Sequence, residues 1–377
     1  MAKLKVGILF GGKSGEHEVS IVSALSIYQA LDKSKYDPTL IGIDKTGRWL
    51  LPDQSRILAE RQNARLIKLN KEHQTVSLLP FDTDKNLVPV VEDAVPTAQR
   101  GLHFDVILPI LHGTYGEDGT VQGLLELANL PYIGSGVLGS AVSMDKETAK
   151  RLLRDAGIPV VPFMTVHRND FKKQAANILA EAKRRFGLPY FVKPANMGSS
   201  VGVNKVKTEA EALAKFEDAL LYDTKVLVEQ AIDARELEVS VLGNHDPQAS
   251  IVGEIIPNHE FYTYEAKYLD ENGADLAIPA RDLSAATTKR VQEVAIAGFR
   301  ALECAGLARV DFFLDRKTSE IYLNEVNTIP GFTQISMYPK LWAASGLPYP
   351  QLLDRLIELA LERHREKNSL KTTYEPK

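Results

Sequence analysis

The opening 43 residues constrain the fold more than any other stretch. An apolar run from Lys5 to Phe10 reads as a buried strand and Gly11-Gly12 as a turn. Residues from about Glu18 to Leu31 read as a helix and Thr39 to Ile43 as a second strand. Strand, helix and strand in that order form a βαβ unit and imply a parallel sheet, so the chain is expected to be α/β at its start. A third buried strand, Phe104 to Leu111, runs into the glycine-rich loop 112–119 and a helix from Val121 to Ala128. Tyr132-Ile133 reads as a further strand, followed by Gly134-Ser-Gly136 and one helix through Ala156, which Gly157 and Pro159 stop.

The pattern then changes. Strands Tyr190 to Lys193 and Val201 to Val206 flank a glycine-serine loop, a helix follows at about Glu209 to Leu221, and Lys225 to Glu229 and Glu236 to Leu242 read as strands. Strands Arg309 to Leu314 and Glu320 to Val326 pair through a polar turn, and an amphipathic helix covers about Gln351 to Arg365. The stretch 52–100 is polar and weakly periodic, and carries no element signal. At roughly 100–200 residues per domain, 377 residues suggest two or three domains.

Composition excludes several classes. With 45 Lys+Arg against 49 Asp+Glu the formal charge is −4, without the basic excess of a duplex-binding protein, so no nucleic-acid partner is expected. The single cysteine, Cys304, leaves no intrachain disulfide framework or cysteine-cluster zinc site and fits a reducing compartment. The apolar run before Gly11 is too short for a signal peptide, and no stretch approaches the roughly 20 apolar residues of a membrane span. The expectation is a soluble, cytoplasmic protein without a membrane partner.

Two glycine motifs invite a nucleotide reading. Gly7-x4-Gly12-Lys13-Ser14 satisfies the P-loop pattern, but Gly7 sits within the strand and its supposed loop begins Ile8-Leu9-Phe10, so phosphate cradling there is rejected. Gly134-x-Gly136-x-x-Gly139 lies between a strand and a helix, as a dinucleotide fingerprint requires. The next strand offers Arg168 and no carboxylate, which keeps an NADP-dependent oxidoreductase open as a reading of another class.

Three constellations carry more chemistry. Side chains alternate faces along a strand, so Arg309, Asp311 and Phe313 share one face, and Leu323, Glu325 and Asn327 share one face of the neighbour. If the hairpin pairs these faces, two carboxylates and an amide oxygen converge, the all-oxygen donor set that magnesium prefers. Residues 193–203 place Lys193, Gly198, Ser199, Ser200 and Gly202 in a loop between strands, where backbone N–H groups, hydroxyls and a point charge can meet phosphate. Glu229 closes an apolar strand and Glu236 shares a face of the next with Glu238, which suits an adenine amine and ribose hydroxyls respectively. Glu16 lies near the start of the first helix, and His112 at a strand's carboxyl end, where α/β proteins place ligands.

The ordered segments 11–20, 112–119, 144–153, 191–203, 228–243, 261–268, 308–314 and 324–339 together resemble the ATP-grasp superfamily and, within it, the D-alanine–D-alanine ligase family. The resemblance spans about nine tenths of the chain. It implies a three-domain ATP-grasp fold: an N-terminal α/β domain with a parallel sheet (1–143), a central domain with a flap at 193–203 (144–236), and a C-terminal domain with the metal strands (237–365), followed by a disordered tail (366–377). ATP would lie between the latter two domains. It also implies ATP-dependent joining of two D-alanines for bacterial peptidoglycan, through an acyl phosphate, in a homodimer, with D-alanine–D-lactate ligation as the nearest rival. Carried residue by residue, Lys146, Lys193, Ser200 and Lys267 would meet phosphates, Glu229 and Ile232 adenine, and Glu236 ribose. Asp311, Glu325 and Asn327 would bind two Mg²⁺ (or Mn²⁺). Glu16 would meet the first D-alanine's ammonium with His112 nearby, Arg309 and the Gly331 N–H would form an oxyanion hole, and Ser336 and Met337 would contact the second D-alanine. Glu16, Ser199 and Tyr268 would form a hydrogen-bonded triad. A catalytically silent nucleotide-binding regulator would be expected to lack one of the metal residues; all three are present.

Overall fold

The computed structural model describes residues 2–54, 57, 67, 69, 73–81, 86–90, 101–257, 274–371 and 373. In the first sheet, β1 (Leu4–Gly11) pairs in parallel with β2 (Tyr36–Ile43) on one side and with the edge strand β6 (Val106–Ile110) on the other. Helix α1 (His17–Ala30) is the crossover, as the sequence pattern requires. The rest of this sheet departs from the parallel expectation. β3 (Trp49–Leu51), β4 (Gln74–Leu78) and β5 (Leu87–Pro89) add antiparallel strands beyond β2, two of them in the stretch without an element signal. Strands of three to five residues are too short for a period of two to show.

Alternation along β1 decides the layers. Val6, Ile8 and Phe10 face a core shared with Ile21 and Leu25 of α1 and with Leu352, Leu356 and Ile357 of the last helix. Leu9 faces the opposite core with Val121 and Leu125 of α2 (Thr120–Leu127). The last helix, Tyr349–Asn368, continues three residues into the segment expected to be a disordered tail. Gly7 lies within β1 in register with both neighbours, which removes the P-loop reading.

The single helix expected through Ala156 is two: α3 (Val137–Met144) and α4 (Lys146–Asp155). The break is Asp145, which adopts extended backbone and N-caps α4 by accepting the Thr148 N–H at 2.9 Å. Tyr132 makes only an isolated bridge to Ile107 in place of the expected strand.

The second sheet runs in the order β7 (Phe163–His167), β10 (Lys225–Gln230), β8 (Tyr190–Pro194), β9 (Asn204–Val206), covered by α5 (Arg168–Phe186) and α6 (Glu209–Tyr222). The third runs β13 (Ala274–Ala277), β12 (Gln248–Pro257), β11 (Ala234–Gly243), β14 (Gly306–Asp315), β15 (Ile321–Asn327), all antiparallel. The change from second to third sheet falls in the turn 231–233, so the expected division after residue 236 lies inside β11. One face of the third sheet, with Leu237, Val239, Val310 and Phe312, packs on α4 and α7 (Ala285–Ala301). Its other face carries the polar residues.

Candidate functional site

Strand pairing assembles the site. In the register of the third sheet Glu238 is opposite Asp311, Asp311 opposite Glu325, and Arg309 opposite Asn327. Arg309 forks onto Asp311, with Nε–Oδ1 and Nη2–Oδ2 both 2.7 Å, and its Nε lies 3.1 Å from Glu238 Oε2. The Asn327 amide donates to Asp311 Oδ2 at 3.0 Å. Burial alone would lower the Arg309 pKa, but Asp311, Glu238 and Glu325 reverse this and hold the guanidinium firmly protonated.

One sequence expectation fails here. A β-bulge between Asp311 and Phe312 inserts Asn324, so Leu323 pairs with Phe312 and turns to the core, fully buried, instead of sharing a face with Glu325. Phe313 remains on the site face, its ring centroid 5.9 Å from Lys193 Nζ. That contact brings β8 of the second sheet over the third and forms a cleft between them.

The opposite wall of the cleft is cationic. Lys146, the first residue of α4, places Nζ 3.4 Å from Glu325 Oε2 and donates to the Met197 carbonyl at 2.8 Å. Lys193 Nζ lies 2.6 Å from Glu229 Oε2. The sequence reading missed the third lysine, Lys150, whose Nζ approaches Glu229 Oε1 to 3.1 Å, too poorly aligned for a hydrogen bond but a close ion pair. Its signal was available, because Lys146 and Lys150 are i,i+4 on one helix. Both members of this pair are almost completely buried.

Burial alone would push Glu229's carboxyl up, and the Lys150 and Lys193 ammoniums pull it well below its ordinary value of 4.5. The depressed pKa means that Glu229 stabilises the fold above pH 4.5 and loses that contribution as pH falls through the lowered value. Burial also pulls the Lys150 ammonium below its ordinary value, which offsets part of this gain. Lys150→Met should therefore destabilise the protein by roughly 1–3 kcal/mol, less than a fully broken buried pair because Lys193 remains. Urea midpoints at pH 7 and pH 4 are the measurement, and the gap between the two proteins should narrow at the lower pH. An unchanged midpoint at pH 7 would show that the pair adds nothing.

The flap, 195–203, is held over the first domain. Ser199 and Ser200 both have left-handed backbone, φ 50° and 60°, conformations that non-glycine residues adopt at a cost. Ser199 Oγ donates to Glu16 Oε1, across 183 residues of sequence. Glu16, at the N-cap of α1, also lies against Gly113 of the 112–119 loop and Gly198 of the flap. Ser336 is the residue before the helix Met337–Ala344, and its Oγ turns away from that helix to accept the Thr333 N–H at 3.0 Å beside Gly331.

Other expected residues are placed differently. His112 is buried and both ring nitrogens face protein atoms, the Ile329 carbonyl at 2.9 Å and Ser23 Oγ at 3.2 Å, so it lines the site from behind. Met337 is buried with its thioether over Gly253 of β12. Ile232 is half-buried in the turn after β10, and Glu236 lies opposite Phe313 on the site face. Lys267 and Tyr268, with the rest of 261–268, lie outside the described residues. Gly139 packs directly on the Glu303 backbone and Gly134 beside Gly306, so the 134–139 glycines serve close packing and give an NADP reading no footing. No helix among the described residues is long and apolar enough to cross a membrane.

The arrangement juxtaposes three lysines, an arginine and paired carboxylates in a cleft, as handling of a polyphosphate and an acid requires. Two family models match the chain: "D-ala D-ala ligase N-terminus" over residues 5–135 and "D-ala D-ala ligase C-terminus" over 152–358. A D-alanine–D-alanine ligase of Shouchella clausii is 53% identical over 373 residues, covering 99% of each chain. Among solved structures, the D-alanine–D-alanine ligase from Coxiella burnetii aligns with a TM-score of 0.82 at 41% identity, covering 98% of this chain and 97% of that one. The VanG D-Ala:D-Ser ligase from Enterococcus faecalis aligns with a TM-score of 0.82 at 36% identity, covering 95% and 100%.

Proposed function

Since this chain belongs to the D-alanine–D-alanine ligase family, we propose that it joins two D-alanines into D-alanyl-D-alanine at the expense of ATP, for peptidoglycan precursor synthesis. The observation that carries the reading is the cleft itself: Asp311 opposite Glu325 on one wall, and Lys146 and Lys193 on the other. ATP lies between the second and third sheets, with Lys146, Lys193, Ser200 and Lys267 toward its phosphates. Ile232 frames adenine and Glu236 takes the ribose; Glu229, already between two lysines, serves the adenine end through its backbone or by holding Lys193.

The oxygen-only set of Asp311, Glu325 and Asn327 fits Mg²⁺ or Mn²⁺, although among the described residues no three His, Cys, Asp or Glu side chains gather as a metal site. Two such ions held there would screen the phosphate charges during attack. Phosphate oxygens and water would complete their coordination.

The residues of the chain account for the rest of the chemistry. A carboxylate cannot lose oxide, so a carboxylate oxygen of the first D-alanine, its ammonium on Glu16, attacks the γ-phosphorus and expels ADP, giving an acyl phosphate whose leaving group is phosphate. Lysine ammoniums offset the repulsion between these anions. The second D-alanine, its carboxylate at Ser336, attacks the acyl carbon as the free amine, and the tetrahedral oxyanion is met by Arg309 and the Gly331 N–H. Its collapse expels phosphate, which carries off the amine's proton, to leave the amide. The Glu16–Ser199 hydrogen bond closes the flap over the intermediate and keeps water from hydrolysing it. Tyr268 completes the triad and orients the incoming amine. The enzyme is proposed to act as a cytoplasmic homodimer of three units, the first ending near residue 143 and the second and third meeting at residues 231–233.

The test is product analysis by mass after incubation with ATP, Mg²⁺ and mixtures of D-alanine, D-serine and D-lactate. D-Alanyl-D-alanine should dominate. A depsipeptide or D-alanyl-D-serine as main product would reassign the second substrate, and no ATP-dependent product from any mixture would overturn the reading.

A further inference from the structure

His112 of the loop 112–119 was expected near substrate, yet His112 and Glu117 both turn to another loop. Glu117 accepts the Gly113 N–H on Oε2 at 2.7 Å and the Ile329 N–H on Oε1 at 2.9 Å. His112 Nδ1 contacts the Ile329 carbonyl at 2.9 Å. A carbonyl only accepts, so Nδ1 carries the proton, and the neutral ring's Nε2 accepts from Ser23 Oγ at 3.2 Å. Ser23 Oγ in turn accepts the Phe332 N–H at 3.4 Å. Burial pulls the His112 pKa down, in keeping with a neutral ring.

The segment 329–332 is thus held at both ends: Ile329 by its N–H and its carbonyl, Phe332 by its N–H. Between them stands Gly331. His112, Ser23, Ile329 and Phe332 are all buried, so water competes little for these bonds. The loop needs such anchors, since Pro330 lacks an N–H and Gly331 has no side chain to fix it.

We propose that Glu117, His112 and Ser23 are positioning residues that clamp segment 329–332 and so aim the Gly331 N–H at the oxyanion. The proposal rests on the ligase reading above, which gives Gly331 its role. It separates two kinds of loss: a slack clamp misplaces a donor needed in the amide-forming step while leaving ATP and the first D-alanine bound. Displacing a catalytic donor by about 1 Å can cost on the order of 10²-fold in rate.

The experiment compares wild type with Glu117→Gln and Ser23→Ala. A carboxamide accepts through one oxygen only, so Glu117→Gln loses one of the two N–H anchors; Ser23→Ala loses the Phe332 tether and the histidine's support. Expected for Glu117→Gln is a fall in kcat of about 10–100-fold with KM for ATP and for the first D-alanine little changed. Scrambling of an oxygen label between the bridging and non-bridging positions of ATP, which reports acyl phosphate formation, should persist while dipeptide formation falls. Ser23→Ala should show the same pattern more weakly, and it decides the matter if Glu117→Gln does not fold. Unchanged kcat per folded molecule, or a loss confined to KM or to label scrambling, overturns the clamp. A wild type that makes no dipeptide would instead overturn the ligase reading.

Discussion

Glu325→Gln should give a folded protein whose ATP-dependent phosphate release falls by roughly 10³-fold or more, about 4 kcal/mol of barrier. The substitution keeps the shape of the side chain and removes one of the two carboxylates facing each other across β14 and β15. Its structural cost should be small, because Glu325 is partly exposed and its contact with Lys146 is a long one, 3.4 Å. The thermal midpoint should stay near wild type, and raising Mg²⁺ or Mn²⁺ should recover only part of the rate. Unchanged phosphate release at ordinary Mg²⁺ would remove Glu325 from the metal set.

Arg309→Ala should lower kcat by about 10²–10³, the loss of one oxyanion donor, or 2.7–4 kcal/mol. Nucleotide affinity should suffer less than kcat, since the oxyanion arises only after phosphoryl transfer. The geometry adds a second effect. Arg309 lies between Asp311 and the buried Glu238, so its removal leaves two carboxylates facing each other without a cation. Stability must therefore be measured beside the rate. Arg309→Lys separates the two effects, because an ammonium keeps the charge but cannot reproduce the bidentate fork. It should restore most of the stability and little of kcat. If ATP affinity fell and kcat held in Arg309→Ala, the guanidinium would be a nucleotide ligand.

Some of this architecture was legible in the residues one strand at a time. The βαβ opening, the burial of Gly7 within β1 and the shared face of Arg309 and Asp311 are consequences of local geometry. Other features hid in weak patterns. β4 and β5, of five and three residues, are too short for period-2 reading, and with β3 they turned an expected parallel sheet into a half-antiparallel one. Asp145 was legible in principle, since Asp is a favoured N-cap residue whose carboxylate can accept the N–H three residues on, but a continuous helical pattern on both sides masked it.

The sequence by itself determined which side chains share a face and which motifs belong together, because alternation along a strand and spacing along a helix depend only on neighbouring residues. It brought Arg309 and Asp311 together and carried the family in its ordered motifs, while the start of α4 at Lys146 came only with the structure. Only the tertiary structure decided what those faces meet. The bulge at Asn324 moved Leu323 into the core, Lys150 and Lys193 closed on Glu229, Ser199 reached Glu16, and His112, joined by Glu117, turned to grip Ile329. The physical reason is common to all four. Register and long-range hydrogen bonds are chosen by competition among packed surfaces, where a buried charge or N–H must find some partner, and the local pattern does not say which.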